Sequence, residues 1–249
     1  RRFGRFTIRD HRNYGVLDLT EIIVKSSNVG VSNIATDLGG DTLRNLYARL
    51  GLGQATGIGF PGEAVGVLPA PPKWRPVEES TLSYGYGMSV NALQLAQAYM
   101  VIANGGIRYP LSLMRQEQRP QGQRVLSEQV TRAVRDMLKQ AVARGTGKRA
   151  RPGLYAAGGK TGTVHLVGAN GYEDSQYKAI FAGMAPIDDP RIVTVVAVDA
   201  PQAGEYYGGE VAAPVFARVM GDALRLLNVK PELEVSETRV SQVTSGGRG

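Results

Sequence analysis

The residues best suited to chemistry lie in two short polar segments that are far apart in the sequence. The first is Ser26-Ser27-Asn28, and the second, over residues 158–163, reads Gly-Gly-Lys-Thr-Gly-Thr. In the second segment, Lys160 is flanked by residues small enough for a ligand's backbone to approach, so it can place one cation beside an anionic group. Taken alone, the first segment is equally typical of a turn between helices, and the second of a glycine-weakened strand with a surface lysine. The second segment is not a P-loop, because its glycine spacing differs and no helix follows.

Composition excludes several kinds of site. The chain has 249 residues, 43% of them hydrophobic, which is enough for a sizeable core in one large domain or two small ones. It has no cysteine, so disulfide scaffolds, thiol catalysis and cysteine-ligated zinc are excluded. His11 and His165 are its only histidines, and we expect neither a metal site nor a cofactor. Its longest apolar stretch, residues 179–187, is about half as long as a bilayer requires.

The net charge of +7 is concentrated in two blocks of the sequence. Residues 1–12 carry five arginines against one aspartate, and residues 115–151 carry ten basic against three acidic side chains. We expect no nucleic-acid partner, because residues 144–151 have neither interleaved aromatic residues nor a recognised binding module. A solvated basic loop is the simpler interpretation of these residues, and an entrance that attracts an anionic substrate is the alternative.

The first two thirds of the chain are predicted to be mainly helical. Apolar spacing over residues 18–38 predicts two helices that meet at a turn over residues 25–30, where serine and asparagine favour caps. A short helix is expected from a cap at Asp41 to Leu50, and residues 51–76, with six glycines and five prolines, predict a long surface excursion. Two further helices are predicted from Ser89 or Asn91 to Asn104 and over residues 128–143 with a cap at Ser127. Their expected apolar positions are Leu93, Ala96, Met100 and Ala103, and Val130, Val134, Met137, Leu138 and Ala141.

The last hundred residues change to strand periodicity. Strands are predicted over residues 156–165, 177–185 and 191–198, the last two joined by a turn at Asp188-Asp189-Pro190. A closing helix over residues 211–227 is expected to turn Val215, Val219, Leu224 and Leu227 inward. Helices followed by antiparallel strands indicate a mixed α/β body whose sheet is covered by helices.

Several ordered blocks of the sequence carry a resemblance to one family. They are residues 6–10 leading to 17–20, then 25–30, 83–87 before 93–96, 145–147, 159–163 and 181–186. Together they resemble the transpeptidase domain of class B penicillin-binding proteins, most closely the division-specific penicillin-binding protein 3 type. The resemblance implies an α/β (α+β) fold of the penicillin-binding protein and β-lactamase kind, with an antiparallel sheet covered by helices and an additional helical subdomain. We accordingly predict that residues 1–230 are the C-terminal portion of a transpeptidase domain and that residues 231–249 are a flexible tail.

One element of the family pattern is missing. Ser-x-x-Lys, Ser-x-Asn and Lys-Thr-Gly line the cleft around an acylated serine in such enzymes. No serine precedes Ser26 here, and Ser175-x-x-Lys178 comes after the Lys-Thr-Gly, where strand alternation aims its two side chains at opposite faces. We therefore expect the nucleophile to lie upstream of residue 1, and the resemblance implies that two further strands of the sheet lie there as well. The open strand edge that this leaves predicts poor solubility of the isolated chain.

The resemblance implies a role for each matching residue. Ser26 would relay a proton towards the leaving amine, and Asn28 would hold the catalytic lysine and the substrate amide. Lys160 would keep the local potential positive and orient Ser26. The ligand would then be bound along the following strand and by an aromatic wall. The implied ligand-binding residues are Thr161 and Thr163 for a carboxylate, Gly162 and Val164 for strand pairing and one oxyanion N–H, and His165, Tyr177, Tyr206 and Tyr207 for side-chain contacts.

The resemblance also implies partners and a cellular place. The ligands would be peptidoglycan stem peptides ending in D-Ala-D-Ala and β-lactam antibiotics, and the protein partners would be divisome proteins including a glycosyltransferase. The domain would face the bacterial periplasm from a single N-terminal anchor in the inner membrane. Two alternatives remain open: a serine β-lactamase or D,D-carboxypeptidase, and a non-catalytic β-lactam-sensing or divisome interaction domain.

Overall fold

The computed structural model describes residues 1–4, 6–168 and 171–232, and the side chains of residues 167–175 lie outside that description. Within it, short strand pairs and seven helices precede and flank one larger sheet. The strands are β1 Arg2–Phe3, β2 Phe6–Thr7, β3 Ile107–Arg108, β4 Gln123–Arg124, β5 Gly158–Gly168, β6 Gly171–Ala185 and β7 Ile192–Asp199. The helices are α1 Leu19–Lys25, α2 Asn28–Leu38, α3 Gly40–Leu50, α4 Pro76–Leu82, α5 Ala92–Ala103, α6 Glu128–Arg144 and α7 Gly208–Leu226, with a single 3-10 turn at Lys148–Ala150.

The main sheet is antiparallel, with the strand order β5-β6-β7. Lys160 pairs with Ala182, and Ile180 pairs with both Gly162 and Ala197, so β6 is the central strand. The three predicted strands and the turn between the last two are confirmed. Strand β5 continues to Gly168 and β6 already begins at Gly171, both beyond the predicted bounds. Across the described ranges, β5 and β7 each keep one edge without a strand partner.

Helix α7 covers one face of the sheet. Its buried side chains follow helical spacing, and the Phe216 ring lies 4.7 Å from that of Phe181 on β6. Leu224 is buried as predicted, but the expectation for Val215, Val219 and Leu227 is wrong, since they are 44%, 48% and 58% exposed. The helix starts three residues earlier than predicted, and its most buried stripe combines two alanines with three large apolar residues. That stripe is Ala212, Ala213, Phe216, Met220 and Leu224.

Helix α6 and helix α5 pack on the opposite side. Leu138 of α6 joins Met184 and Ile187 in one core cluster, so its predicted inward position is confirmed, whereas Val130 is 46% exposed. In α5 the most buried stripe is Gln94, Gln97, Ala98 and Val101, not the four apolar positions expected. The two glutamines are buried because they hydrogen-bond backbone carbonyls of the neighbouring loops.

A smaller helical layer is built from α2, α3 and α4 around Ala35, Leu43 and Leu82. The predicted junction between α1 and α2 and the caps at Asn91 and Ser127 are confirmed. The predicted cap at Asp41 is wrong: Gly39 precedes α3, and the Asp41 carboxylate accepts a hydrogen bond from Trp74 Nε1 at 2.8 Å. None of the helices in the described ranges is long and apolar enough to cross a membrane.

Candidate active site

Ser26 lies at the turn that joins α1 to α2. Its φ of 57° and ψ of 49° place it in the left-handed region, which is uncommon for residues other than glycine. The end of α1 and the start of α2 are both capped by Ser27. Its N–H donates to the Ile22 carbonyl at 3.0 Å, and its hydroxyl accepts from Gly30 N–H at 2.9 Å. The turn therefore exposes the Ser26 side chain between two capped helices.

Asp10 fixes this turn from outside the two helices. Its carboxylate accepts the Ser27 hydroxyl at 2.6 Å and the Val29 N–H at 3.1 Å. The second bond satisfies one of the unpaired donors at the start of α2, where a negative charge is also favoured by the helix dipole. Asp10 belongs to one of the blocks that carry the family resemblance, but sequence reasoning gave it no role, because nothing local connects it to Ser27.

Lys160 brings the two polar segments together. From β5, its Nζ donates to Ser26 Oγ at 2.8 Å, across 134 residues of sequence, and to the Thr161 carbonyl at 3.2 Å. A third, longer contact of 3.4 Å reaches Thr161 Oγ1. Burial lowers the pKa of Lys160 to about 8, because desolvation disfavours its charged form. The two predicted segments thus form one cluster around a single ammonium group.

Thr161 and Thr163 stand on one face of β5, since side chains alternate along a strand. The Thr161 hydroxyl lies 2.9 Å from the hydroxyl of Thr146, in the loop after α6. The Thr163 hydroxyl accepts a hydrogen bond from Gly208 N–H, at the first residue of α7, at 2.9 Å. Both hydroxyls are therefore held by partners that sequence analysis did not assign to the site.

Two glycines allow α7 to approach β5 this closely. A Cβ added at Gly208 would overlap the carbonyl oxygens of Ile180 and Gly162, and one at Gly209 would lie 2.5 Å from the carbonyl oxygen of Thr146. Real Cβ atoms do not come so near to backbone atoms. The N-terminal end of a 19-residue helix, which carries a partial positive charge, is thereby placed beside the two threonines.

Aromatic rings form a continuous row beside the strand, which we call the aromatic row. Its members are His165, Tyr177, Tyr206, Tyr207 and His11. The centroid of the Tyr177 ring lies 4.4 Å from that of His165 and 4.2 Å from that of Tyr206. The ring centroids of Tyr206 and Tyr207 are 4.4 Å apart. His11 meets Tyr207 edge-on at 6.1 Å. The Tyr206 hydroxyl donates to the Tyr207 hydroxyl at 3.2 Å, and this bond holds the pKa of Tyr206 above its ordinary value.

The remaining predicted residues are less tightly connected. Asn28 is the first residue of α2 and makes no side-chain hydrogen bond within the described ranges. Val164 lies on β5, where it pairs with Lys178 of β6. Lys178 is held by Asp199 at 2.8 Å, while the side chain of its motif partner Ser175 lies outside the described residues. No group of three potential metal ligands occurs in the part of the chain that the structure covers. The predicted tail falls mostly on residues 233–249, which are outside the description.

Comparison with known proteins gives the same result from sequence and from structure. A model of the penicillin-binding protein transpeptidase domain matches residues 1–221. Peptidoglycan D,D-transpeptidase FtsI of Escherichia coli K12 is 40% identical over 249 residues, which cover all of this chain and 42% of that protein. The probable peptidoglycan D,D-transpeptidase PenA of Neisseria gonorrhoeae is 38% identical over 231 residues, or 92% of this chain and 40% of that protein. The chain thus spans about 40% of the length of these relatives.

Solved structures agree with this assignment. The apo structure of the TP domain of Burkholderia pseudomallei penicillin-binding protein 3 superimposes with a TM-score of 0.85 at 43% identity. The match covers 90% of this chain and 69% of that structure, and it confirms the expected fold class. A family model that covers most of the sequence and a solved structure of the same kind support one conclusion. The chain belongs to the penicillin-binding protein transpeptidase domain family.

Proposed function

We propose that this chain is part of a serine D,D-transpeptidase that cross-links peptidoglycan stem peptides during septal wall synthesis and that β-lactams acylate at the same site. The observation that supports this most directly is the 2.8 Å hydrogen bond from Lys160 Nζ to Ser26 Oγ, which joins the Lys-Thr-Gly and Ser-x-Asn segments. Relatives named peptidoglycan D,D-transpeptidase support the same reaction.

The reaction divides between an attacking serine and the residues found here. A serine of a Ser-x-x-Lys element attacks the carbonyl between the two terminal D-alanines, so that an ester bond forms and the amide bond breaks. The lysine of that element takes the proton of the attacking hydroxyl, and Ser26, whose hydroxyl Lys160 holds in place, relays this proton to the leaving D-alanine amine. Asn28 holds the catalytic lysine and the substrate amide. The amine of a second stem peptide then attacks the ester, which forms the cross-link and releases the serine. The Lys178 ammonium of the other Ser-x-x-Lys element is paired with Asp199 at 2.8 Å, which disfavours it as the base for a serine nucleophile.

The carboxylate of the stem peptide or β-lactam binds at Thr161 and Thr163. Both hydroxyls lie on the strand face beside the start of α7, and the Lys160 ammonium is within 3.4 Å of Thr161 Oγ1. A cation, a helix N-terminus and two hydroxyl donors favour an anion together. The unpaired edge of β5 suits the ligand backbone, which would pair along Gly162 and Val164 and receive one oxyanion N–H from this strand.

The aromatic row forms the side of the site that receives the rest of the ligand. Tyr177, Tyr206 and Tyr207, with His165 at one end, present stacked faces rather than isolated rings. Such a surface suits the apolar parts of a stem peptide or of a β-lactam side chain.

The family assignment supports a cellular setting. The domain would lie in the periplasm, held to the inner membrane by an N-terminal anchor, and would act with divisome proteins that include a glycosyltransferase. A similar structure described as a peptidoglycan glycosyltransferase from Burkholderia ambifaria, with a TM-score of 0.83 at 40% identity, is consistent with wall synthesis. We assign residues 1–230 to the transpeptidase domain and residues 231–249 to a tail, with no cofactor and no nucleic-acid partner.

Labelling with a fluorescent penicillin tests this proposal. The full-length protein should form a long-lived adduct on the serine of a Ser-x-x-Lys element, located by mapping the modified peptide. Lys160→Ala should slow adduct formation by about 100-fold or more, because it removes the charge that orients Ser26 and attracts the carboxylate. Lys178→Ala is the matched control, a lysine of β6 whose ammonium is paired with Asp199 at 2.8 Å, and should slow adduct formation far less than Lys160→Ala. Rapid loss of the adduct would indicate a hydrolase instead, and no adduct would indicate a non-catalytic domain.

A further inference from the structure

The loop after α6 meets three other parts of the fold at Gly145-Thr146-Gly147, which we call the glycine junction. A Cβ at Gly145 would lie 2.6 Å from the carbonyl oxygen of Val24 in α1, and one at Gly147 would lie 3.3 Å from the Phe181 ring of β6. The carbonyl of Thr146 itself faces Gly209 of α7. A side chain is thus excluded at Gly145 and would be crowded at Gly147, and Thr146 has the one side chain at this junction.

The hydroxyl of Thr146 has a single hydrogen-bond partner within the described ranges. That partner is Thr161 Oγ1 at 2.9 Å, and the geometry allows either oxygen to donate. Thr146 is exposed, so its hydroxyl is not needed to satisfy a buried group. Its position is instead determined by the backbone of the glycine junction, which the Gly145 and Gly147 N–H groups tie to the carbonyl of Ala141 at 3.1 Å each.

The direction of this bond decides where the Thr161 proton points. A hydroxyl has one proton and two acceptor lone pairs. Thr161 Oγ1 already accepts from the Lys160 ammonium, which can only donate. If Thr146 also donates to it, the Thr161 proton has no partner within the described ranges and is available to a bound anion. If Thr161 donates to Thr146, no proton remains for the ligand.

The same reasoning applies at Thr163, where the direction is fixed. Gly208 N–H can only donate, so Thr163 Oγ1 accepts and keeps its own proton for a ligand. Thr161 and Thr163 then present two protons from one strand face, one set by a backbone donor and one set by Thr146. The hydrogen bonds in such a chain of hydroxyls strengthen each other when the last hydroxyl donates to a charged group.

We propose that Thr146 is a positioning residue, which donates to Thr161 and thereby directs the Thr161 proton to the carboxylate of the ligand. This inference rests on the proposed function, because it needs a carboxylate ligand at β5. It makes Thr146 part of the selection for ligands with a free carboxylate, although Thr146 itself does not touch them. Its loss should matter for a charged ligand and not for the same ligand with that charge removed.

The experiment compares the acylation rate of the full-length protein by benzylpenicillin and by its methyl ester. Thr146→Val keeps the shape of the side chain without the hydroxyl, and Thr146→Ser keeps the hydroxyl. Thr146→Val should lower the second-order rate constant for benzylpenicillin about three- to tenfold, the range for one exposed neutral hydrogen bond. The rate with the ester should stay within about twofold of the wild type, and Thr146→Ser should restore the rate with benzylpenicillin.

Each other result refutes a defined part of this proposal. An equal loss with both ligands would show that Thr146 acts only through the shape of the site, and no loss with either would show that it does not position Thr161. Both results would overturn the inference and leave the proposed function standing. If the wild-type protein formed no adduct with benzylpenicillin, the proposed function would fail and this inference with it. A melting temperature for Thr146→Val equal to that of the wild type checks that folding is unchanged.

Discussion

Removing the carboxylate of Asp10 should loosen the turn that carries Ser26. In the structure Asp10 accepts the Ser27 hydroxyl at 2.6 Å and the Val29 N–H at 3.1 Å, and Ser27 is only 3% exposed. Asp10→Ala leaves both donors without this partner. The left-handed conformation of Ser26 is then no longer stabilised by the hydrogen bonds that Asp10 accepts from the residues after Ser26. The 2.8 Å contact between Ser26 and Lys160 depends on that conformation.

The size of the effect follows from the bonds that are lost. A hydrogen bond to a charged group contributes about 1.5–3 kcal/mol, and a missing helix cap costs about 1 kcal/mol. Asp10 is half-buried, so the lower end applies, and Asp10→Ala should reduce the free energy of unfolding by about 2–3 kcal/mol. Asp10→Asn, whose amide oxygen can still accept from Val29, should cost about 1 kcal/mol. A shift of the Ser26 hydroxyl by about 1 Å should slow acylation by about 10- to 100-fold.

The assay combines denaturant unfolding with the rate of labelling by a fluorescent penicillin. Asp37→Ala is the matched control, because Asp37 lies exposed near the other end of α2 and makes no hydrogen bond or ion pair within the described ranges. Its removal should change stability by no more than about 0.5 kcal/mol and leave the labelling rate unaltered. If Asp10→Ala matched Asp37→Ala in both measurements, the role assigned to Asp10 would be wrong.

Four further predictions follow from the same geometry. Gly208→Ala should destabilise the protein by about 1–3 kcal/mol, because its Cβ would overlap the carbonyls of Ile180 and Gly162. Gly221→Ala lies in the same helix, where the nearest atom to an added Cβ, the carbonyl oxygen of Pro152, is 3.5 Å away, and should be neutral or stabilising. Denaturant unfolding of both variants measures the difference. Labelling should slow as the pH rises through about 8, where Lys160 loses its charge, and Lys160→Arg should move this decline to higher pH; a pH profile unchanged by Lys160→Arg would refute the assignment. Because the pKa of Lys160 is lower in the folded than in the unfolded chain, its contribution to stability should be least favourable below about pH 8 and should improve between pH 8 and 10.4, as urea unfolding at several pH values would show. Charge reversal of Lys148 and Arg149 should slow labelling at low salt, because it removes positive charge from the proposed entrance. Equal labelling rates for the wild type and the variants would instead support the interpretation of these residues as a solvated loop.

Local signals predicted most of the elements that carry the site. The helix junction at Ser26 could be predicted because serine and asparagine compete with helical hydrogen bonds, and the strand of Lys160 because its neighbours alternate. The faces of α7 and α5 could not, since small residues such as Ala212 and polar ones such as Gln94 are buried by partners that are far away in sequence. Hydropathy alone gives glutamine no inward preference and alanine only a weak one.

The residues missed at the site share one property. Asp10, Thr146, Gly208 and His11 each contact a group from another element, Asp10 through two hydrogen bonds and the others through one hydrogen bond or one ring contact. A single sequence has no pattern that reports such contacts, because each depends on how two elements pack. The only local signal for these contacts was glycine, which occurs at 145 and 147 around Thr146 and as a pair at 208 and 209. Paired glycines such as these indicate that another part of the backbone approaches closely.

The glycine junction and the glycines at the start of α7 form a part of the site that does not tolerate substitution, whereas the aromatic row does tolerate it. A side chain at Gly145 would displace α1, and one at Gly208 or Gly209 would displace the start of α7 from β5. Substitutions there would alter the threonine hydroxyls for every ligand at once. Tyr206 and Tyr207 contact mainly other rings and belong to the partly exposed surface of the aromatic row. Under the proposed function, natural or selected variants that change antibiotic preference but keep transpeptidase activity should therefore accumulate along this row and spare the glycines.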